Sequence, residues 1–580
     1  MPAWPITDKA SKIFPLTSRA NVGEIFPDPI TPLNASTGFF ANLEKGWRDA
    51  DVATGVWDHD IYDPDVESMP VCCYGSYVYI NMSLMRLFGV RVPGFTPELV
   101  DLQYFGDMPG IPPYESEKRD FDENEEYSAK AGAWLVGELL GAKDLAPFDA
   151  DRAEVLTLRA ARPDLAGLTD AELAARITSF NQLLTHLFKN HIVASKAAGV
   201  GLGVVAQLAE AVGRSDLSLT LLAGIGDVDS ALASHGMWKL SRAAATSTVL
   251  TAEFDAGTAG LLERLRSVDD PAAKQFVVDL ESFLQEWDFR GPCEWEIRAQ
   301  TWGTEPELAL KTIERLRHVP DDEAPEVKNA RRAAEREEAT ELVRGLLAGN
   351  EEALAQFAAG IHAGALWIRA RERCRTTAAM LIHELRLPAR ELGRRGVVAG
   401  ALATPEQIFM LFAEELPAYL ADPRSFTTTV DEREKVYREL FEYEPPFVVN
   451  GQPAPWTEWP RRNATAAAPL APGGSIPGVP GCPGVVRGRA RVVLAPDEAD
   501  DLEPGEILVA PITDPSWTPL FVGAAGVIVN VGAPFSHAAI VSRELGIPCI
   551  VSVADATRRI PDGALVEVDG TTGTVTLLEG

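Results

Sequence analysis

Residues 532–548 read Gly532-Ala533-Pro534-Phe535-Ser536-His537-Ala538-Ala539-Ile540-Val541-Ser542-Arg543-Glu544-Leu545-Gly546-Ile547-Pro548. An apolar run from Gly526 to Asn530 ends before this stretch, a turn with Gly and Pro follows, and apolar residues then recur at helical spacing up to Leu545. The pattern predicts a strand, a turn and a short helix starting at or just after His537. The imidazole would then sit beside unsatisfied backbone N–H groups and the positive end of a helix dipole, a place that suits an anion. Neutral imidazole is a nucleophile near physiological pH, and a phosphoryl group on it would gain hydrogen bonds from those N–H groups and from Ser536. A single histidine after a turn can equally be a simple helix cap.

Outward from His537 the apolar period is two. Val485–Leu494, Glu506–Ala510, Gly526–Asn530, Ile547–Val551, Leu565–Val568 and Val575–Leu577 all read as short strands. They predict a compact α/β module over 479–580. Before it, residues 461–478 are rich in Ala, Pro and Gly with no apolar period and are expected to be a flexible linker. Upstream, from about Thr169 to Leu420, apolar residues fall at three- and four-residue spacing, as in Leu354, Phe357, Ala358, Ile361, Ala365 and Ile368. Thr169 and Asp170 can cap a helix, whereas Pro388 and Gly396 are expected to interrupt one. The first 115 residues, rich in Pro, Gly and aromatics, read as irregular chain with some strand, such as Tyr77–Ile80. The fold expected is multidomain α and α/β: a large, mainly helical substrate domain over 1–460, then the β/α module.

Composition excludes several classes. Of 580 residues, 46% are apolar and 24% charged, which fits a folded globular protein. With 84 Asp and Glu against 53 Lys and Arg, the formal charge of −31 repels phosphate backbones and anionic lipid, so nucleic acid is not an expected partner. Six cysteines without C-x-x-C spacing suggest neither a disulfide framework nor a zinc finger, and point to a reducing, cytoplasmic setting. The N-terminus lacks a signal-peptide pattern, and the apolar stretch Ala197–Val212 is broken by Gln207 and Glu210, so no membrane segment is expected.

About 20 residues before His537 lies Thr513-Asp514-Pro515-Ser516-Trp517-Thr518-Pro519-Leu520. The two motifs together resemble the phosphohistidine swivelling domain of the phosphoenolpyruvate-utilising enzymes. The resemblance implies that His537 is the phosphorylated residue, with Thr513 a hydroxyl beside the ring. Two positions depart from the family pattern: Ala533 replaces a second Gly, and Phe535 stands where Thr is common. The larger region resembles the acceptor domain of rifampin phosphotransferase and of phenylphosphate-synthase-type proteins. Leu16–Glu24, Pro29–Leu33, Tyr79–Asn81, Pro93–Phe95, Phe289–Glu296, Arg371–Arg375 and Glu391–Arg395 carry this likeness. Asp288 and Phe289 stand where the family has Gly-His, which removes an acid–base histidine there.

Moving a phosphoryl group calls for cationic donors around the shifting charge, and Arg290, Arg371 and Arg375 are the candidates. They could instead form an ion-pair set with Glu294, Glu296 and Glu372, the acidic residues expected to face the substrate pocket. His362 and His383 lie on helical stretches and could deprotonate an acceptor hydroxyl, or be core histidines. Full-length members of this family carry an ATP-grasp domain, and neither it nor a Walker-type loop is found in this sequence. The resemblance therefore implies a separate ATP-grasp subunit that binds ATP and Mg2+, charges His537 and leaves transfer to a small hydroxylated acceptor for this chain. A dehydratase or lyase that uses phosphorylation transiently, and a regulatory homologue without turnover, are the alternatives.

Overall fold

A computed structural model describes residues 4–579 except 60, 61, 67, 107, 109, 116–120, 463–467, 497, 498, 500, 501 and 535. The expected arrangement holds: a mainly helical region precedes a mixed β-sheet region. Two helices organise the first region, Asn181–Ala211 and the 48-residue Glu351–Val398. They cross where both carry glycine. A Cβ on Gly201 would lie 3.0 Å from Gly364 Cα, so the backbones approach as closely as small residues allow. This crossing sets His191 and Arg371, one from each helix, at the same level.

Pro388 and Gly396 do not end the second helix, which runs through both. Pro388 removes one N–H, but tertiary bonds hold the helix on either side of it. Arg386 donates to the Glu294 and Glu296 carbonyls, and Arg390 to those of Arg298 and Ala299. Gly396 is a packing residue, since a Cβ there would meet the Tyr419 hydroxyl at 2.4 Å. Thr169 does start a helix, Asp170–Thr178, with a full capping box to Glu172.

The first 115 residues are more helical than their composition suggests. Glu44–Ala53, Met82–Arg91 and Pro97–Phe105 are helices. Pro97 occupies the first helical turn behind the Thr96 cap, where a missing N–H costs nothing. Strands β1 (Leu16–Ser18), β2 (Val71–Tyr74), β3 (Tyr77–Asn81) and β4 (Val448–Asn450) form an antiparallel sheet in the order β2-β3-β1-β4, which ties residue 450 back to the N-terminus.

The second sheet has eight strands: β5 (Ser475–Pro477), β6 (Val479–Cys482), β7 (Val485–Val492), β8 (Ile507–Ala510), β9 (Gly526–Val529), β10 (Cys549–Val551), β11 (Leu565–Asp569) and β12 (Thr574–Glu579). Their order is β5-β12-β11-β7-β8-β9-β10-β6, with β7 to β10 parallel and the flanks antiparallel. The expected linker is shorter than 461–478. Leu470 N–H bonds to the Arg559 carbonyl, and β5 pairs with β12, so the chain is already packed on the β/α region from Leu470 onward. Residues 463–467 of that linker lie outside the described residues.

Candidate active site around His537

Because β8 and β9 are parallel neighbours, the loops leaving their carboxyl ends emerge side by side. One carries Thr513 to Thr518 and the other leads into the helix His537–Leu545. His537 is thereby held between two hydroxyls: Nδ1 lies 3.1 Å from Thr513 Oγ1 and Nε2 3.0 Å from Thr518 Oγ1. Its backbone N–H donates to Glu24 Oε2 at 3.0 Å. Ser536 is the N-cap, its Oγ accepting from Ala539 N–H, and among the described residues it makes no hydrogen bond to the imidazole. Ala533 is buried, and Phe535 lies outside the described residues.

The ring is only 1% exposed, and burial together with Arg375, Arg290 and Arg371 pushes it well below the usual histidine range. It is therefore neutral: one ring N–H donates to a threonine, and the other nitrogen offers its lone pair. That is the nucleophilic form.

All three predicted arginines reach this histidine electrostatically, and all three are buried. Arg290 donates to Glu294 Oε1 and to Thr376 Oγ1, each at 2.7 Å. Arg371 pairs with Glu372. Arg375 makes no side-chain hydrogen bond to a described residue, and its Nε is buried without a partner. Burial opposes ionisation of Glu372, but Arg371, Arg375 and Arg290 outweigh it and hold the carboxyl below its ordinary range. Burial wins at Glu294, which is raised despite Arg290 and Arg375. A buried guanidinium left over after these pairings suits an incoming dianion.

Three predicted residues belong elsewhere. Glu296 is buried and accepts from Thr31 N–H, Thr31 Oγ1, Asn34 Nδ2 and Arg298 N–H, so it anchors the Thr31–Asn34 segment. His383 lies in a buried cluster with Asp288 and Arg386; burial lowers it to about 4, against the pull of Asp288. His362 is exposed on the outer face, with Nε2 3.2 Å from the Ala142 carbonyl. Asp288, at the family's Gly-His position, is a structural hub for Arg159, Arg162 and His383.

Four residues were not singled out from sequence. Thr518 stands in the quoted loop and Glu24 in the quoted N-terminal fragment, but only the fold brings them to opposite sides of His537. Asp514 accepts from Ser516 and, across the domain boundary, from Cys293 N–H at 3.0 Å. His191 is lowered to about 3 by burial and then by Arg371 and Arg375, so it cannot serve as a base at neutral pH.

A cleft of about 430 Å³ is lined by Arg19, Glu24, Asp28, Cys293, Arg462 and Thr513; it reaches His537 only through its partners Glu24 and Thr513, and neither the ring nor the three arginines line it. A second, of about 670 Å³, shares Pro27, Asp28, Pro292 and Cys293 with it. Beyond the Glu24 and Asp514 contacts, Glu544 accepts from Ile225 N–H, Gly226 N–H and Asn329, and Lys328 donates to the Val522 carbonyl. The β/α region is thus docked on the helical one with His537 sealed at the junction.

Residues 502–573 match the family described as PEP-utilising enzyme, mobile domain. The chain carries that mobile domain. Residues 190–372, which include Arg290, Glu294, Arg371 and Glu372, match the rifampicin phosphotransferase fourth domain. An uncharacterized protein of Mycobacterium tuberculosis is 38% identical over 291 residues, 50% of this chain and 30% of the relative. Rifampicin phosphotransferase of Streptomyces sviceus is 40% identical over 180 residues, 31% of this chain and 20% of the relative. The prodigiosin synthesizing transferase PigC of Serratia marcescens is 30% identical over 321 residues, 54% of this chain and 35% of the relative. The matches span between 20% and 35% of these relatives' own lengths. The first match contains His537 and both threonines, and the second contains Arg290 and Arg371 but not Glu24 or Arg375.

Proposed function

We propose that this protein is the acceptor and phosphocarrier component of an ATP-dependent phosphotransferase, passing a phosphoryl group from His537 to a hydroxylated organic molecule bound in the cleft. The observation that carries this reading is a neutral imidazole, held at both nitrogens and within the electrostatic reach of three buried arginines, of which Arg375 has no side-chain hydrogen bond to a described residue. Because His537 is sealed when docked, it is charged with the mobile domain released, and docking then brings the phosphoryl group to Arg290, Arg371 and Arg375. There the P–N bonding pair returns to the ring, whose other nitrogen keeps its proton against a threonine, as the acceptor oxygen bonds to phosphorus. The arginines stabilise the charge spread over the phosphoryl oxygens.

The donor in this reading is ATP with Mg2+ on a separate ATP-grasp subunit. Among the described residues no group of three or more His, Cys, Asp and Glu is arranged to hold a metal. The neutral imidazole, its two threonine hydroxyls and the buried arginines suit the phosphoryl group itself. A cytoplasmic location goes with this partner. The test is to incubate the chain with an ATP-grasp protein and Mg-ATP and to follow phosphohistidine at His537, then its loss to candidate alcohols in the cleft. A phosphoester supports transfer. A second reading is a dehydratase or lyase that phosphorylates a hydroxyl only transiently, and free phosphate with an unphosphorylated product would support it. A regulatory homologue would leave His537 unlabelled.

A further inference from the structure

We propose that Glu24 is the base that takes the proton from the acceptor hydroxyl as the phosphoryl group leaves His537. This rests on the phosphotransfer reading above. Three observations point to it. Glu24 lines the cleft together with Thr513, the hydroxyl on His537 Nδ1. Its Oε2 is fixed by the His537 backbone N–H at 3.0 Å, so the carboxylate is tied to the residue that carries the phosphoryl group. Its Oε1 is buried and has no hydrogen-bond partner, a debt that an acceptor O–H would settle.

The other candidates are engaged or placed elsewhere. Glu372 is held by Arg371. Glu294 also has a buried, unpartnered Oε2, but its other oxygen is paired with Arg290 and it does not line the cleft. Asp514 is held by Ser516 and Cys293. His191 is too weak a base, and His383 and His362 lie in other parts of the fold. Asp28 shares the cleft, but it contacts Cys293 rather than the histidine. Burial raises Glu24 to about 7, against the pull of the His537 N–H, Arg371 and Arg375 and with a push from Glu372, which is the range wanted of a base at neutral pH. These groups, a neutral His537, and Arg19, Asp28, Cys293, Glu444, Arg462 and Asp514 on the cleft wall are the charged and titratable groups around it.

The step balances. The acceptor O–H proton moves to Glu24 Oε1, the acceptor oxygen bonds to phosphorus, the P–N pair returns to the imidazole as a neutral leaving group, and Glu24 later releases its proton to solvent.

The experiment needs no partner and no identified acceptor. The whole chain is charged with phosphoramidate, a nucleotide-free phosphoryl donor, then desalted. Loss of phosphoryl from His537 to water, the smallest hydroxylic acceptor, is followed by site-resolved mass spectrometry across pH. Glu24→Gln keeps an oxygen for the His537 N–H and removes the base, and Asp28→Asn is the control. Wild type and Asp28→Asn should discharge at a rate that rises with pH and levels above about 7, while Glu24→Gln should be roughly 10²-fold slower and flat with pH. A Glu24→Gln rate or pH profile like wild type, or a wild-type rate no faster than that of the urea-unfolded chain, overturns the proposal. So does Asp28→Asn taking the loss instead. Absence of any phosphoryl on wild-type His537 is a different result: it sinks the phosphocarrier reading itself.

Discussion

Replacing Arg290 and Arg375 separately by Met distinguishes the two kinds of buried cation that surround His537. Arg290 makes 2.7 Å bonds to Glu294 and to Thr376. Its loss strands a fully buried carboxylate, and breaking a buried pair by removing one partner costs about 3–5 kcal/mol. Arg375 makes no side-chain hydrogen bond to a described residue, so Arg375→Met loses its long-range attraction to Glu24, Glu294, Glu372 and Asp514. A change in stability of less than about 1 kcal/mol is expected for it, within the scatter of substitutions that break no named interaction. Both variants should still accept a phosphoryl group on His537, and both should discharge it roughly 10²- to 10³-fold more slowly, or about 2.7–4 kcal/mol in activation free energy, the cost of one preorganised donor. Urea unfolding gives the first quantity and discharge of charged enzyme the second. If Arg375→Met is as unstable as Arg290→Met, or discharges at the wild-type rate, Arg375 is a structural cation and the assignment of an anion site is wrong.

Glu544→Gln should weaken docking of the mobile domain, because Glu544 accepts three bonds from the helical region; faster amide exchange at Ile225 and Gly226, with His537 charged more readily, is the expected result. Docking should also depend on pH. His537 is depressed when docked, so its contribution is complete above the free imidazole value of about 6.5 and fades as pH falls below it. Glu24, raised to about 7, contributes in the opposite sense, fully below the free carboxyl value and lost as pH rises through 7. In Glu24→Gln the histidine effect is opposed by Asp514 and Glu544, which burial also raises at the junction; exchange at Ile225 should increase more on acidification below 6.5 in Glu24→Gln than in the Glu24→Gln/His537→Gln double variant, and equal pH profiles in the two would contradict the depressed imidazole. Gly201→Ala places a Cβ 3.0 Å from Gly364 Cα and should lower stability by about 1–3 kcal/mol in a denaturant titration. His362→Ala should alter neither stability nor discharge, as measured by the same two assays, since the side chain is on the outer face.

Much of the β/α region was legible because its strands and the helix from His537 follow simple local rules: period two, a turn, a serine cap. The helix bounds came out as read, His537–Leu545. The failures are informative in the same terms. Pro388 reads as a stop because sequence cannot show Arg386 and Arg390 reaching across to carbonyls some 90 residues away. Residues 468–478 look like linker because small residues and Pro also suit a short edge strand, which here is β5. Among site residues, the three arginines were found from charge logic, since cations are scarce beside so many carboxylates. His362 and His383 were misplaced because a helical stripe does not say which face meets the histidine. Glu24 could be seen only in three dimensions, lying 513 positions from the N–H it accepts.

The measurement that bears most directly on the account is site-resolved phosphorylation of the intact chain by an ATP-grasp partner with Mg-ATP, read at neutral pH so that phosphohistidine survives. Eight histidines are available, of which five, His59, His186, His235, His318 and His362, are far more open to solvent than His537. The account predicts an acid-labile phosphoryl group on His537 alone, absent in His537→Ala together with all transfer to an acceptor. Phosphoryl on another residue, or product formation that survives His537→Ala, would contradict it.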